Sequence, residues 1–320
     1  MNRPQGWLVF AFQAAATAGL AAWILRDPAF RASVGGLLAR AEAGWLAAAL
    51  GSAGISAALT LVRWGIFLRI VGIGLPVWQV ARIGAAGLFF STFLPGSVGG
   101  DAAKAGWLAA RGFSLKDALL SAVMDRLSGL GGLVVWSALF LGLRARWLMA
   151  DPVGMVLLQG VGTFVTCALA GVAGSFFLAA RGMVDRLPGW VPGRDGLREF
   201  AATYRLFVER PRASALAVGV SLGVLAGYFG AFYFCALAVG APIPAADLFA
   251  LMPAVDMLAA LPLSVGGFGM REASFELIAG ALCGLASDQA VALSFAGGLA
   301  WAFWGFAGLV MLPFGGTKVR

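Results

Sequence analysis

The chain has 320 residues, of which 61% are hydrophobic and only 12% are charged. Soluble domains carry about 25% charged residues, so this composition excludes an ordinary soluble enzyme or binding module. The net charge is +8 and histidine is absent, which excludes histidine acid–base chemistry and histidine metal ligation. Most lysines and arginines lie in short loops between apolar segments, which is typical of membrane orientation rather than nucleic-acid binding.

Six apolar segments are long enough to cross a bilayer as helices, which takes about 20 residues. In chain order they are roughly 6–25, 44–62, 118–142, 154–180, 213–240 and 290–313. We therefore predict an all-α polytopic membrane protein with a single integral membrane domain over residues 1–320. No small-residue cleavage site follows the first segment, so we interpret it as a retained helix rather than a signal peptide.

Two further regions, 77–111 and 247–284, are apolar stretches that a Pro/Gly-rich motif interrupts in the middle. Each half is short for a full crossing, so we predict two re-entrant helical hairpins. Irregular backbone at that depth is tolerated only where protein or a water-filled cavity covers it. The alternative counts the halves as extra crossings and gives about eight transmembrane helices.

The two interruptions are copies of one motif. Leu-Pro-Gly-Ser-Val-Gly-Gly at 94–100 returns 167 positions later as Leu-Pro-Leu-Ser-Val-Gly-Gly at 261–267. A cation follows each copy after four residues, Lys104 in the first and Arg271 in the second. Matching Pro/Gly breaks in the two halves of a membrane chain are typical of inverted-repeat transporters, whose binding site lies between the halves.

The distribution of lysine and arginine predicts that both termini are cytoplasmic. With six crossings, fifteen of these cations fall in interior loops and five in exterior loops, as the positive-inside rule requires. Each half then has an odd number of crossings, so the second half enters the membrane inverted. We accordingly predict a first repeat over residues 1–145 and a second, inverted repeat over residues 150–320.

The motif tips predict a binding site for an anionic group. They share paired glycines that allow a ligand to approach the backbone, namely Gly99, Gly100, Gly266 and Gly267. The helix after each tip begins with free N–H groups and the positive end of its dipole. Lys104 and Arg271, about one turn further in, each add a full positive charge. The simpler alternative is a tight turn whose cation reaches a headgroup layer.

Acidic residues lie beside both cations. An ionisable residue at membrane depth costs roughly 2.5–3.5 kcal/mol and is therefore a functional candidate. We predict that Asp101 pairs with Lys104, and Glu272 with Arg271, when the site is empty. Both acids therefore belong to the predicted substrate site.

Four further charged residues complete the set of candidates. Asp125, Arg126 and Asp256 are candidates for coupling transport to protons, and the first two are equally well explained as a structural intramembrane pair. Arg63 lies at the inner end of the second crossing. It is either a boundary anchor or a contact to a lipid headgroup, and we include it among the substrate-binding residues.

These residues resemble the flippase-like family that includes the membrane region of lysylphosphatidylglycerol synthases. The likeness rests on four short blocks, namely Arg63-Trp64, the first motif with Asp101 and Lys104, Asp125-Arg126-Leu127 and Gly269-Met270-Arg271-Glu272-Ala273. The resemblance implies movement of a lipid, anionic, aminoacylated or polyprenyl-linked, between the leaflets of a bacterial cytoplasmic membrane. It also implies lipid-biosynthesis enzymes as partners.

Two other functions stay open at this point. One is a membrane-embedded transferase acting on a lipid carrier, and the other is a non-catalytic partner of a lipid-synthesis complex. A transferase needs acidic residues outside the membrane, and Asp27 with Glu42 are a widely spaced candidate pair. We therefore favour a lipid translocase that is not an enzyme, and we expect no cofactor, no metal and no nucleic acid.

Overall fold

The computed structural model of the chain describes most of its apolar segments. It covers residues 26–93, 98–180, 209–241, 243–261 and 267–311, and individually 19, 22, 194, 196, 198 and 264. Most of the predicted first crossing (all but residues 19 and 22), the tip residue Gly266 and both chain ends lie outside the described residues.

All regular secondary structure in these ranges is helical, which confirms the all-α fold class. The helices are α1 Pro28–Ala39, α2 Ala43–Ile70, α3 Val77–Phe93, α4 Val98–Ala110, α5 Leu115–Leu148, α6 Pro152–Ala180, α7 Pro211–Ala238, α8 Ala245–Ala259, α9 Met270–Cys283 and α10 Ser287–Val310.

Five of these helices, α2, α5, α6, α7 and α10, are long and apolar enough to cross a membrane. Each coincides with one of the predicted crossings, so the polytopic membrane class is confirmed. The clearest difference is α2, which continues to Ile70 instead of ending at residue 62. The prediction ended the crossing before Arg63, but this charge is paired inside the protein and does not terminate the helix.

The two motif-interrupted regions each fold into two shorter helices. Helices α3 and α4 contact each other on either side of the first motif, and α8 and α9 do so around the second. At 1.5 Å per residue these four helices are about 20–26 Å long, less than the roughly 30 Å hydrocarbon core. The break in each region is therefore present, while the re-entrant path stays a prediction.

Helices α2 and α7 have 28 residues each and pack closely together. The hydroxyl of Ser52 donates to the carbonyl of Gly227 at 2.8 Å, and that of Ser56 donates to the carbonyl of Val224 at the same distance. A Cβ at Gly227 would lie 2.9 Å from the Ser52 carbonyl oxygen, so the crossing needs glycine there. The 167-residue shift carries α2 almost onto α7, so the recurrence extends beyond the motif.

The predicted exterior loop between residues 26 and 40 is a helix, α1, and not a plain loop. The Asp27 carboxylate accepts a hydrogen bond from the Ala29 N–H at 2.9 Å and caps its first turn. The Ser33 hydroxyl donates to Asp288 at the start of α10, which holds α1 against that helix. Helix α1 was not predicted because Arg31 interrupts its apolar pattern and Arg26 and Arg40 flank it.

Candidate functional site

A polar cavity of about 240 Å³ lies among α2, α3, α4 and α5. Five of its lining side chains are charged, namely Arg63, Asp101, Lys104, Asp125 and Arg126. The other lining residues are Thr60, Leu61, Trp64, Gly84, Gly87, Leu88 and Ser91. All five charged residues were candidates from the sequence, and the fold brings them to one place. Three cations against two carboxylates leave the cavity with one excess positive charge.

Arg63 lies inside the protein rather than at a membrane boundary. Its Nε donates to Asp125 Oδ1 at 2.7 Å, and both side chains are about nine-tenths buried. Its Nη1 donates to the Ser221 hydroxyl at 3.1 Å, and Ser221 lies 3.0 Å from the hydroxyl of Ser128. These contacts join α2, α5 and α7, and they meet the requirement that a buried charge be paired and hydrogen-bonded. The anchor interpretation of Arg63 is therefore wrong.

Asp101 is shared between two cations. Lys104 Nζ lies 2.8 Å from Asp101 Oδ1, which is the pairing expected from the sequence. Arg126 Nε lies 2.5 Å from Asp101 Oδ2, and the Arg126 side chain is 46% exposed. Arg126 thus pairs with Asp101 on α4, while its neighbour Asp125 pairs with Arg63 on α2. Adjacent residues of a helix point in different directions, so each faces a different partner.

Close packing of α3 on α4 positions Lys104. Helix α4 begins at Val98, so Gly99 and Gly100 lie in its first turn. A Cβ at Gly100 would collide with the Gly87 carbonyl and the Ser91 hydroxyl, so α3 occupies this space and leaves none for a ligand. A Cβ at Gly87 would lie 2.6 Å from Lys104 Cγ, so the lysine stem runs over a bare stretch of α3. The ammonium lies 5.0 Å from the centre of the Trp64 ring.

The second motif copy builds a separate charged cluster. Arg271 is only 6% exposed, and its guanidinium lies 5.7 Å from the ring centres of both Phe232 and Phe268. Tyr228, Asp256 and Glu272 lie close enough to Arg271 to interact with it electrostatically. Tyr228 also lies near Asp256. Asp256 therefore belongs to the surroundings of Arg271, which the sequence did not reveal.

Glu272 shapes the start of α9. Its Oε2 accepts from the Gly269 N–H at 2.5 Å, and its Oε1 accepts from the Ser294 hydroxyl at 3.0 Å. Gly269 and Gly267 have φ angles of +86° and +77°, which glycine adopts without strain. The backbone turn before α9 therefore depends on these two glycines and on Glu272. The predicted mutual pairing of Glu272 and Arg271 in an empty substrate site stays a prediction.

Three hydroxyl partners of the charged clusters escaped the sequence analysis. Ser221, Tyr228 and Ser294 lie within long apolar helices and belong to no motif. Ser221 and Tyr228 are seven residues apart, hence two turns apart on the same side of α7. The spacing of these two polar side chains within a crossing helix is the sequence feature that could have identified them as partners of the charged residues.

The lining of the polar cavity comes from the first half of the chain, and none of the described residues of the second motif copy is part of it.

The family model for the "Lysylphosphatidylglycerol synthase TM region" matches residues 8–307, nearly the whole chain. No curated protein matches the chain significantly. The family match confirms the resemblance drawn from the sequence motifs and, with the long apolar helices, shows a multi-pass membrane protein with a lipid-related function.

Proposed function

We propose that this chain, which belongs to the lysylphosphatidylglycerol synthase TM region family, is a lipid translocase. Its substrate is an anionic or phosphate-bearing lipid, a phospholipid or a polyprenyl-phosphate type, that moves between leaflets. The observation that supports this most is the polar cavity, in which Arg63, Lys104 and Arg126 outnumber two carboxylates. Charges placed among membrane helices are costly, and a substrate pathway is the usual reason for them.

Exchange of ion-pair partners is the proposed binding step. In the structure a single carboxylate, Asp101, pairs with both Lys104 and Arg126. A lipid phosphate that enters the cavity offers oxygens to the same two cations, and charge-assisted bonds of this kind are the strong ones. Arg126 is the most exposed of the ion-paired side chains, so we assign it the first contact with the phosphate.

The size of the cavity supports binding of a headgroup rather than of a whole lipid. Pockets that enclose a drug-sized ligand measure roughly 300–1,000 Å³, and this cavity measures about 240 Å³. A phosphate with a small substituent fits that volume, whereas acyl chains have to stay in the bilayer. This division is what a translocase needs, because only the polar group meets a barrier in the hydrocarbon core.

We further propose an inverted repeat over residues 1–145 and 150–320, with re-entrant hairpins at both motifs, in a bacterial cytoplasmic membrane. The support is that α2 and α3, when shifted by 167 residues along the chain, coincide closely in their bounds with α7 and α8. Both termini are then cytoplasmic. Labelling with a membrane-impermeant maleimide tests this: Arg146→Cys is expected to react from outside and Arg111→Cys from inside. The reverse pattern would contradict the orientation.

Vesicle reconstitution tests the transport function. The movement of fluorescent phosphatidylglycerol is measured as the fraction of its fluorescence that is protected from an external reductant. Fluorescent phosphatidylcholine is the comparison lipid. We expect Lys104→Met to slow phosphatidylglycerol movement about tenfold, equivalent to ~1.4 kcal/mol, because it keeps the stem packing beside Gly87 but removes the charge. Arg146→Gln, an exposed change at the far end of α5, is the control.

The result of this assay also decides between functions. Wild-type protein that binds phosphatidylglycerol but moves neither lipid would favour the non-catalytic partner of lipid-biosynthesis enzymes. For a transferase, the Asp27 carboxylate of the candidate acidic pair is already engaged in capping α1.

A further inference from the structure

An apolar groove of about 310 Å³ lies between α2 and α3, next to the polar cavity. Its α2 face is formed by Ala58, Leu61, Val62, Gly65, Ile66, Leu68 and Arg69. Its other face is formed by Ile73, Leu75, Val77, Val80 and Ala81. The α2 positions recur every three or four residues, so nearly all of them lie along one stripe of the helix.

A single cation lies at one end of this stripe. Arg69 is the only charged residue of the lining, it is exposed, and it lies in the last turn of α2. From Ala58 to Arg69 the stripe measures about 16 Å at 1.5 Å per residue. That is about half of the roughly 30 Å hydrocarbon core, so the groove has the length of one leaflet. An acyl chain fits the apolar part, and a phosphate fits the end with Arg69.

The groove and the polar cavity are neighbours that share one lining residue. Leu61 lines both of them. A Cβ at Gly84 would lie 2.5 Å from Leu61 Cδ2 and 3.4 Å from the Trp64 ring, so Leu61 fills the notch that glycine leaves on α3. Leu61 thus contacts both spaces while it is packed against α3.

We propose that the groove binds one acyl chain of an anionic phospholipid whose phosphate lies against Arg69. This binding goes beyond the proposed translocation. The additional role of the groove as the loading position for the polar cavity rests on that function. A cation near the membrane surface attracts anionic lipid, so phosphatidylglycerol is favoured over phosphatidylcholine about fivefold, equivalent to ~1 kcal/mol.

Fluorescence quenching by brominated lipids tests the groove directly. A bimane label is attached at Val62→Cys in protein with Cys167→Ser and Cys283→Ser, and Cys235 is fully buried and left in place. The protein is reconstituted in phosphatidylcholine vesicles with brominated phosphatidylglycerol or brominated phosphatidylcholine. We expect quenching by brominated phosphatidylglycerol at about fivefold lower lipid fraction.

Matched controls separate the groove from the general lipid surface. The same label at Leu139→Cys on α5 has the same 54% exposure as Val62 but lies outside the groove, and it is expected to show no preference. Arg69→Gln is expected to abolish the preference at Val62, whereas Arg111→Gln at the end of α4 preserves it. Ala81→Phe fills the groove without changing charge, and it lowers quenching by both lipids at Val62.

The possible results support or overturn the proposal separately from the translocase. Equal quenching by both lipids at Val62, or a preference that survives Arg69→Gln, overturns the anionic-lipid site. Quenching at Val62 no stronger than at Leu139 shows an empty groove. A preference at Val62 in protein that moves no lipid supports the groove and removes the translocase. Variants are compared only where their melting temperatures in detergent match that of the parent.

Discussion

The two motif copies place their cations in opposite surroundings. Lys104 lines an accessible cavity and shares Asp101 with the half-exposed Arg126. Arg271 is 6% exposed, with the rings of Phe232 and Phe268 both close to its guanidinium. The first cation is therefore available to exchange partners, while the second is enclosed by the fold. A repeated motif does not by itself imply a repeated function.

The difference begins with the position at which the following helix starts. Helix α4 begins at Val98, so Lys104 is its seventh residue. Helix α9 begins only at Met270, after two glycines with positive φ, so Arg271 is its second residue. Lys104 lies one turn of α4 beyond Gly100, as expected, whereas no complete turn of α9 precedes Arg271. The two cations follow their motif copies at equal spacing in the sequence. They nevertheless take different positions in their helices, because the backbone between motif and cation folds differently.

Removal of the enclosed cation is expected to have the largest effect. Arg271→Leu lowers the free energy of unfolding by about 3–5 kcal/mol, because it leaves the buried Glu272 carboxylate and the neighbouring Asp256 without the cation beside them. Lys104→Leu is expected to cost less than Arg271→Leu, since Arg126 still faces Asp101. Thermal and denaturant unfolding in detergent measure both variants. Equal losses would show that the two cations are equally structural.

The ion pair between α2 and α5 is expected to come next. Asp125→Asn lowers the free energy of unfolding by on the order of 2 kcal/mol, because Arg63 keeps a hydrogen-bond acceptor but loses the opposite charge. The double variant Arg63→Gln/Asp125→Asn is expected to be more stable than the sum of the single losses predicts. Strict additivity in this double-mutant cycle would show that the pair contributes no coupling and that the cavity is looser than its contacts indicate.

Small-to-larger substitutions sharpen the same comparison. At Gly298 a new Cβ would lie 2.6 Å from Arg271 Nη1, and the Phe268 ring is at 3.3 Å. Gly298→Ala is therefore expected to cost about 1–3 kcal/mol of stability, as overpacking does. Gly87→Ala displaces the stem of Lys104 towards the cavity, so we expect a smaller loss of stability and slower lipid movement. Melting temperature and vesicle transport separate the two effects, and the opposite order of stabilities would contradict the enclosed site.

The smallest effect on stability is expected at the cavity entrance. Arg126→Gln removes a 46% exposed partner of Asp101, and exposed pairs contribute about 0–1 kcal/mol. Movement of fluorescent phosphatidylglycerol is nevertheless expected to slow, because this side chain makes the proposed first contact with the phosphate. Unchanged transport would assign that contact to Lys104 alone.

The crossings were predictable because helix length and apolar composition are local properties. Five of the predicted crossings coincide with long helices of the described part. The error at the end of α2 shows the limit of this reasoning. A charge such as Arg63 predicts the end of a crossing only when nothing inside the protein neutralises it, and here Asp125, 62 residues away, does so.

Local sequence was sufficient for the helical membrane class, for most crossings and for the choice of charged residues, because these follow from hydrophobic length and from the cost of charge in a bilayer. The partners of those charges depended on packing. Arg63 meets Asp125 and Ser221, Arg126 meets Asp101, and Arg271 lies beside Asp256. Each of these contacts forms only when two or more helices have the right relative rotation and the right relative position along their axes. Packing between segments that are distant in sequence determines both.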